Sequence, residues 1–383
     1  MRLDDFAARK LRSLSRRQLD RRLTITERGP AQAVRSDGDE LISFACNDYL
    51  GLSLDPRVIA ASLEATRRYG VGAGASRLIS GNHPLYVRLE AQLAEIKGTE
   101  SAIVFGSGYL TNIGVIPVLA GKPDLILIDE LCHSCLLTGA RLSGGTVMSF
   151  RHNDVADLMA RLEDHRQRYR HCLVLTDGVF SMEGDLAPLA ALGELCTEHG
   201  AWLMADDAHG LGVVGAGRGS SFAAGASAKV PLQMGTLSKA VGTYGGYLCA
   251  SRPVIELVQN RARSFVFSTG LPPAVAAAAS AALDIIRTDS DLVAKPLANA
   301  QRFTTALKLQ RAVSAIVPLF LGTAERALTL SRQLRAEGFF VPAIRPPTVP
   351  AGTSRLRFAF SAAHTSADIE RLGAALTRAQ AVS

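Results

Sequence analysis

Seven short apolar runs separated by helical patterns constrain the fold of this chain most strongly. Most of these runs are apolar without a polar alternation, as in strands buried on both faces of a sheet. Helical patterns lie between them, for example over Val155–Tyr169 and Leu186–His199. The order predicts an α/β fold with a mostly parallel, seven-stranded sheet covered by helices on both faces. The predicted strands are Ser101–Phe105, Asp124–Asp129, Thr146–Phe150, Cys172–Asp177, Trp202–Asp206, Pro231–Met234 and Gly246–Ala250.

The remaining segments predict two further parts of the molecule. Residues 1–45 form a basic N-terminal arm with no core of its own, and residues 46–286 form the large domain that contains the sheet. After an alanine-rich helix at 272–287, strand patterns at Ala315–Leu321, Phe339–Ile344 and Arg355–Phe360 alternate with helical patterns at Ala324–Glu337 and Ser366–Arg378. We therefore predict a smaller C-terminal α+β domain over residues 287–383.

Charge and hydropathy exclude several classes of protein. The net charge is +7, but residues 1–28 carry nine Lys and Arg against four Asp and Glu, so most of the excess lies in the arm. Because this arm offers only Phe6 as an aromatic side chain, we do not expect a nucleic-acid partner. No stretch approaches the ~20 apolar residues of a membrane span. With no apolar leader at the N-terminus, a cytoplasmic protein is expected.

The chain contains only seven lysines, so each can be weighed as a candidate catalytic group. Lys239 lies in the small-residue segment Gly235–Gly242, which follows a predicted strand. A lysine at the carboxyl end of a strand, partly desolvated, can form a Schiff base with a carbonyl group. A surface loop lysine is the alternative. The other six are expected to be solvated side chains of helices and turns: Lys10, Lys97, Lys122, Lys229, Lys295 and Lys308.

Asp206 and His209 follow the predicted strand Trp202–Asp206 and can face the same crevice. Asp and His are metal ligands, and a metal-dependent hydrolase that also used Asp207 is one interpretation, but no further cluster at metal-binding spacing supports it. The other interpretation is that Asp206 pairs with the ring nitrogen of pyridoxal 5'-phosphate (PLP) and keeps it protonated. The sequence therefore favours a site without metal.

Two further segments add weaker signals. Gly106–Tyr109 follows the strand Ser101–Phe105 and opens a helix, and free N–H groups at a helix start form a seat for a phosphate. His133 lies in a single C-x-x-C segment, Cys132–Cys135. That segment could be redox-active or half of a zinc site, but no second pair exists, so stacking of His133 on a cofactor or a plain helix-capping role remain open.

Six segments taken together resemble the α-oxoamine synthases, over nearly the whole chain from about residue 21. These PLP enzymes have the aspartate-aminotransferase fold and condense an amino acid with an acyl thioester, with loss of CO2. The resemblance implies a large PLP-binding domain and a homodimer whose sites lie between subunits. The segments are NDYLG (47–51), GSGY (106–109), DGVFSMEGD (177–185), DDAHG (206–210), GTLSKAVG (235–242) and IRPPTVPAGTSRLR (344–357).

Positions that match the family's segments are expected to have the family's roles around the cofactor ring. The resemblance implies that Lys239 forms the Schiff base and that Asp206 contacts the pyridine nitrogen. His133 is expected to stack on the ring and to contact the substrate. Ser181 and His209 are expected to hydrogen-bond the phenolic oxygen, and His209 to assist catalysis. The expected catalytic residues are therefore Lys239, His133, Asp206 and His209.

The resemblance also implies roles around the cofactor's phosphate. Gly108 and Tyr109 are expected to supply backbone groups close to the cofactor, and Thr236 is expected to contact the phosphate. Ser268 and Thr269 are expected to reach the phosphate in the neighbouring subunit.

Substrate contacts follow from the same resemblance. Arg357 and Asn47 are expected to hold the carboxylate of the amino acid. Arg21 and Thr348 are expected to contact the acyl substrate. Within the family the tail at 344–350 favours the members that join L-alanine to a pimeloyl thioester, and members that use glycine are the alternative. The sequence leaves open whether the acyl group arrives on CoA or on a carrier protein, although the basic arm would suit an acidic carrier.

Overall fold

The computed structural model describes residues 1–16, 19 and 23–381. The chain forms two compact units. The smaller unit comprises Met1–Cys46, Val317–Ala359 and His364–Ser383, and the larger unit comprises Asn47–Ile316 and Phe360–Ala363. The division of the sequence into an arm and two domains stays a prediction.

The strands and helices are numbered in chain order. The strands are β1 Thr26–Arg28, β2 Ala33–Ser36, β3 Asp39–Ser43, β4 Ser101–Phe105, β5 Leu125–Asp129, β6 Thr146–Phe150, β7 Cys172–Asp177, β8 Trp202–Asp206, β9 Leu232–Thr236, β10 Gly246–Ala250, β11 Ile316–Gly322, β12 Phe339–Phe340, β13 Ala343–Ile344 and β14 Ser354–Ala359. The α-helices are α1 Leu3–Arg16, α2 Pro56–Tyr69, α3 Pro84–Lys97, α4 Gly108–Leu119, α5 Ser134–Ser143, α6 Val155–His165, α7 Leu189–Glu198, α8 Arg252–Arg261, α9 Arg263–Val266, α10 Pro273–Thr288, α11 Ser290–Ala306, α12 Ala324–Ala336 and α13 Ser366–Ala381. Short 3-10 turns lie at Pro30–Gln32, Leu52–Leu54, Arg166–Arg168 and Ser220–Phe222.

The larger unit is built on a seven-stranded sheet in the order β4-β10-β9-β8-β7-β5-β6. β6, β5, β7, β8 and β9 run parallel to one another, whereas β10 runs antiparallel to both β4 and β9. The prediction of a mostly parallel, seven-stranded sheet is therefore confirmed. The carboxyl ends of β4, β5, β7, β8 and β9 meet at one edge, which we call the carboxyl edge.

Alternate residues of each central strand fill two separate cores. In β5, Ile126 and Ile128 pack on one side of the sheet with α4, α5 and α8, while Leu125 and Leu127 pack on the other side with α6 and α7. A strand with both faces buried needs apolar residues at every position, which explains the unbroken apolar runs in the sequence.

The smaller unit contains a four-stranded sheet, β1-β2-β3-β12, and a three-stranded sheet, β11-β14-β13. The sequence predicts one strand over Phe339–Ile344, but the structure has two short strands that join different sheets. Pro342 lies between them and has no N–H to continue a ladder, which accounts for the break.

Two further observations bear on function. The prediction that Lys97 is a solvated charge is wrong, because its side chain at the end of α3 is completely buried. Across residues 1–16, 19 and 23–381, no helix is long and apolar enough to cross a membrane.

Candidate active site

A cavity of about 250 Å³ lies at the carboxyl edge of the large sheet. Ligand sites gather at this edge of parallel sheets because the loops that follow the strands meet there. Eight of the ten residues that the sequence predicts to bind the cofactor line this cavity: Gly108, Tyr109, His133, Ser181, Asp206, His209, Thr236 and Lys239. The cavity is therefore the candidate active site.

Asp206 is the last residue of β8, and its carboxylate is buried and held from two sides. Its Oδ2 accepts a hydrogen bond from Nδ2 of Asn112 at 2.8 Å, and its Oδ1 accepts one from the backbone N–H of Ala208 at 3.0 Å. A carboxylate fixed by two donors keeps one orientation, so it can present negative charge to a protonated ring nitrogen without reorganising.

A second buried carboxyl group, Asp177, ends β7 beside Asp206 in the sheet register. Burial and then the negative charge of Asp206 raise the pKa of Asp177 well above its usual value. Two adjacent buried carboxylates repel each other, which favours the neutral form of Asp177. Its oxygens lie 3.3 Å from the backbone nitrogen of His133, which ties the start of α5 to the sheet.

Lys239 belongs to a chain of hydrogen-bonded side chains. Its Nζ lies 2.8 Å from Nε2 of His209, whose Nδ1 lies 2.7 Å from the hydroxyl of Tyr49. The hydroxyl donates to Oδ1 of Asn47 at 3.2 Å. Because Tyr49 gives its one proton to Asn47, it accepts from His209. We therefore assign the imidazole proton to Nδ1, which leaves Nε2 to accept from the lysine amine.

His133 caps α5 and is held by the residues next to it. Its Nδ1 lies 2.7 Å from Sγ of Cys135 and accepts from the backbone N–H of Cys135 at 3.3 Å. Burial raises the pKa of Cys135 to about 12, so the group is a thiol. Burial also lowers the pKa of His133, although the charge of Asp206 opposes this. A neutral ring fixed in this way suits a face-on contact with an aromatic ligand.

The start of α4 forms the other end of the cavity. Ser107 caps the helix by accepting from the N–H of Leu110 at 3.2 Å. A Cβ at Gly108 would lie 3.2 Å from Cε of Met234 and 3.4 Å from Cβ of Thr236, so glycine keeps this space open. N–H groups at a helix start, together with the positive end of the helix dipole, favour a phosphate here.

These groups match the three polar parts of PLP. The fixed carboxylate of Asp206 suits the ring nitrogen, and the amine of Lys239 suits the aldehyde. The start of α4, beside the hydroxyl of Thr236, suits the phosphate. The cleared space at Gly108 provides room for a phosphate against the backbone. Within the described ranges, no three His, Cys, Asp or Glu residues come together to hold a metal ion.

Several predicted residues lie elsewhere. Ser268 and Thr269 follow α9 and line a separate small recess, where Thr269 forms an isolated bridge with Ser76. Thr348, which is exposed, and Arg357, which is buried in β14, belong to the smaller unit. Arg21 lies outside the described residues. Their roles stay predictions.

Four residues at the site were not singled out from the sequence. Asn112 is the fifth residue of α4, where nothing local distinguishes it from a core residue, and Cys135, the second residue of α5, was considered only as part of the C-x-x-C segment. Tyr49 and Asp177 stand inside the NDYLG and DGVFSMEGD segments, so the motifs already contained a signal for them. Asn112 connects two parts of the site, because its Nδ2 also donates to Sγ of Cys135 at 3.0 Å.

Comparison with known proteins gives consistent relatives. The family model for aminotransferase class I and II matches residues 39–376. An 8-amino-7-oxononanoate synthase of Beijerinckia indica subsp. indica is 60% identical over 370 residues, which cover 97% of this chain and 96% of the relative. A solved serine palmitoyltransferase of S. paucimobilis, with a bound PLP-myriocin aldimine, has a TM-score of 0.92 and 31% identity over 99% of this chain and 97% of that chain. An 8-amino-7-oxononanoate synthase structure from Francisella tularensis has a TM-score of 0.76 and 25% identity over 89% of this chain and 98% of that chain.

The family match covers most of the chain, and the relative from Beijerinckia indica matches 97% of it. The carboxyl-edge cavity brings together eight of the ten residues that the sequence predicts to bind the cofactor. The chain therefore belongs to aminotransferase class I and II, and the 8-amino-7-oxononanoate synthases are its relatives within that family.

Proposed function

We propose that this chain condenses L-alanine with a pimeloyl thioester and releases CO2 and the free thiol of the carrier. The product is 8-amino-7-oxononanoate, an intermediate of biotin biosynthesis. The observation that carries the proposal is the geometry of Lys239, His209 and Asp206 in one cavity, in a chain 60% identical to an 8-amino-7-oxononanoate synthase. The cofactor is PLP.

When bound, PLP supplies an aromatic ring that draws electron density away from the substrate carbon next to the amino group. Nζ of Lys239 is placed to hold the cofactor and to take and return the proton at the Cα of the amino acid. The hydrogen bond to Nε2 of His209, at 2.8 Å, keeps that amine oriented. The carboxylate of Asp206, fixed by Asn112, would hold the ring nitrogen of PLP in its protonated form.

The acyl thioester requires a group that polarises its carbonyl. His209 carries its proton on Nδ1 and points Nε2 into the cavity region near Lys239. Once Lys239 has taken up a proton, its ammonium group donates to Nε2 of His209. The positive charge is then shared between the amine and the imidazole. We assign His209 this assisting role in acyl transfer and in the loss of CO2.

The remaining substrate contacts are part of the proposal. Asn47 and Arg357 hold the carboxylate of the amino acid, and Arg21 and Thr348 contact the acyl group. Asn47 is supported by its hydrogen bond from Tyr49, which links it to His209. A homodimer, a cytoplasmic location and delivery of the acyl group by an acidic carrier protein stay predictions.

A product assay tests this function. The purified protein is incubated with PLP, pimeloyl-CoA and one of L-alanine, glycine or L-serine. Released CO2, free CoA and the mass of the amino ketone are measured. We expect turnover with L-alanine, with one CO2 and one CoA per product, and none with Lys239→Ala. Preferred turnover of glycine would transfer the proposal to the glycine-using relatives, and preferred turnover of L-serine to a serine palmitoyltransferase type of reaction.

A further inference from the structure

Lys97 and Asp207 form an ion pair that is sealed from solvent next to the active site. Nζ of Lys97 donates to Oδ2 of Asp207 at 2.6 Å and to the backbone carbonyl of Arg218 at 2.8 Å. The two side chains are 0% and 1% exposed, so water contributes nothing to their stabilisation. A buried charge in this setting depends on its partner.

The carboxylate of Asp207 joins three segments of the larger unit. One oxygen binds Lys97 at the end of α3, and the other accepts from the backbone N–H of Ser220 at 3.0 Å. The backbone N–H of Asp207 donates to the carbonyl of Met234 in β9 at 2.7 Å. The residue therefore connects the loop after β8 to a helix end, to a 3-10 turn and to the neighbouring strand.

Glycines allow these segments to approach the ion pair. A Cβ at Gly219 would lie 1.8 Å from Oδ2 of Asp207 and 2.5 Å from Nζ of Lys97. A Cβ at Gly210 would lie 1.8 Å from Oδ1 of Asp207. Because the backbone itself packs around the two charges, the pair has little room to move.

We propose that Lys97 acts, through its ion pair with Asp207, as a positioning residue for Asp206 and His209. Asp206 precedes Asp207 in the chain, and the carbonyl of Asp207 accepts from the N–H of Gly210 at 3.0 Å, which closes the turn that contains His209. A shift of Asp207 therefore moves the carboxylate and the imidazole of the site together. The inference rests on the proposed function only in that Asp206 and His209 act on bound PLP and its substrate.

The test compares holoenzymes with Lys97→Met, with Asp207→Asn and with both substitutions. Lys295→Met on the exposed side of α11 serves as the matched control. The measurements are kcat, kcat/KM for L-alanine, the visible circular dichroism band of bound PLP, and Tm. For Lys97→Met we expect kcat and kcat/KM to fall by the same factor, roughly 10- to 100-fold, because a misplacement of about 1 Å costs that much. The visible band is expected to change as well.

The double variant separates positioning from folding. It contains no unpaired buried charge, so Tm is expected to return towards that of the parent. Its kcat is expected to stay low, because α3 no longer fixes the side chain at position 207. The proposal would be overturned if Lys97→Met or the double variant had the same rates and the same visible band as Lys295→Met. Failure of the double variant to fold would overturn it too, since the pair would then be a requirement of the fold.

The cofactor band keeps this test separate from the choice of substrate. If the parent binds PLP but does not turn over L-alanine and pimeloyl-CoA, the proposed substrates fail. The band of Lys97→Met against the control still decides the role of Lys97.

Discussion

At the scale of single residues, Asp206 is expected to contribute the charge that matters most at the proposed site. Two donors, Asn112 and the N–H of Ala208, fix its carboxylate, and its negative charge helps to raise the pKa of the neighbouring Asp177. We expect Asp206→Asn to lose about 3 kcal/mol of transition-state stabilisation, which lowers kcat roughly 100- to 1000-fold. Steady-state kinetics at saturating PLP measures this. Asp177→Asn is the matched control and should lose much less, because the raised pKa of Asp177 favours a neutral side chain, which Asn resembles. Equal losses in both variants would contradict the assignment.

Tyr49 is expected to act through His209. Tyr49→Phe removes the acceptor that fixes the proton on Nδ1 of His209, at 2.7 Å from the hydroxyl. One lost hydrogen bond of this kind costs about 1 kcal/mol, so kcat is expected to fall roughly fivefold. The same steady-state assay, with the bound PLP measured separately, checks this. An unchanged kcat would show that the orientation of His209 does not depend on Tyr49.

At the scale of elements, His152 connects the end of β5 to the segment that follows β7. Its Nδ1 lies 3.1 Å from Asp129, at the end of β5, and its Nε2 lies 2.9 Å from Asp185. Burial alone would lower the pKa of His152, but the hydrogen bonds to the two carboxylates outweigh burial and raise it to about 10. His152 is therefore protonated in the folded protein at neutral pH.

This raised pKa predicts a pH-dependent contribution to stability. The folded-state pKa, about 10, exceeds the ordinary value of 6.5, so the stabilisation is complete below about pH 6.5 and is lost as the pH rises towards 10. We expect His152→Gln to lower Tm at pH 6 to 7. The difference in Tm between parent and variant is expected to decrease from pH 7 to 10. Calorimetry across this range measures both. A gap that widens with pH would contradict the pairing.

The elements also show how far the sequence could predict the fold. The strands of the large sheet were predicted to within two residues, because strands buried on both faces carry apolar residues at every position. The helix predicted over Leu186–His199 begins only at Leu189, after Pro188. Lys97 could not be predicted, since its partner Asp207 is 110 residues away and the helical pattern around Lys97 is that of a surface lysine.

At the scale of the whole molecule, the predicted dimer makes a specific claim. Lys239 of one subunit and Ser268 and Thr269 of the other are expected to serve the same cofactor. Two inactive variants, Lys239→Ala and the double variant Ser268→Ala with Thr269→Ala, should therefore complement each other. In a mixed dimer one site recovers both contributions and the other loses both.

Co-expression with two different affinity tags gives the mixed dimers. We expect turnover of up to about half the activity of the parent dimer, because one site in two is intact. Dimers that contain a single kind of variant provide the controls. Mixed dimers that stay as inactive as the controls would show that each site is built from one subunit.

The attachment of PLP to Lys239 tests the central claim most directly. The holoenzyme is reduced with borohydride, digested, and its peptides are analysed by mass spectrometry for a lysine that carries the reduced cofactor. The account predicts one labelled peptide, with the label on Lys239, and no label when L-alanine is added in excess before reduction. A label on another of the seven lysines, or no label with bound PLP, would contradict the account.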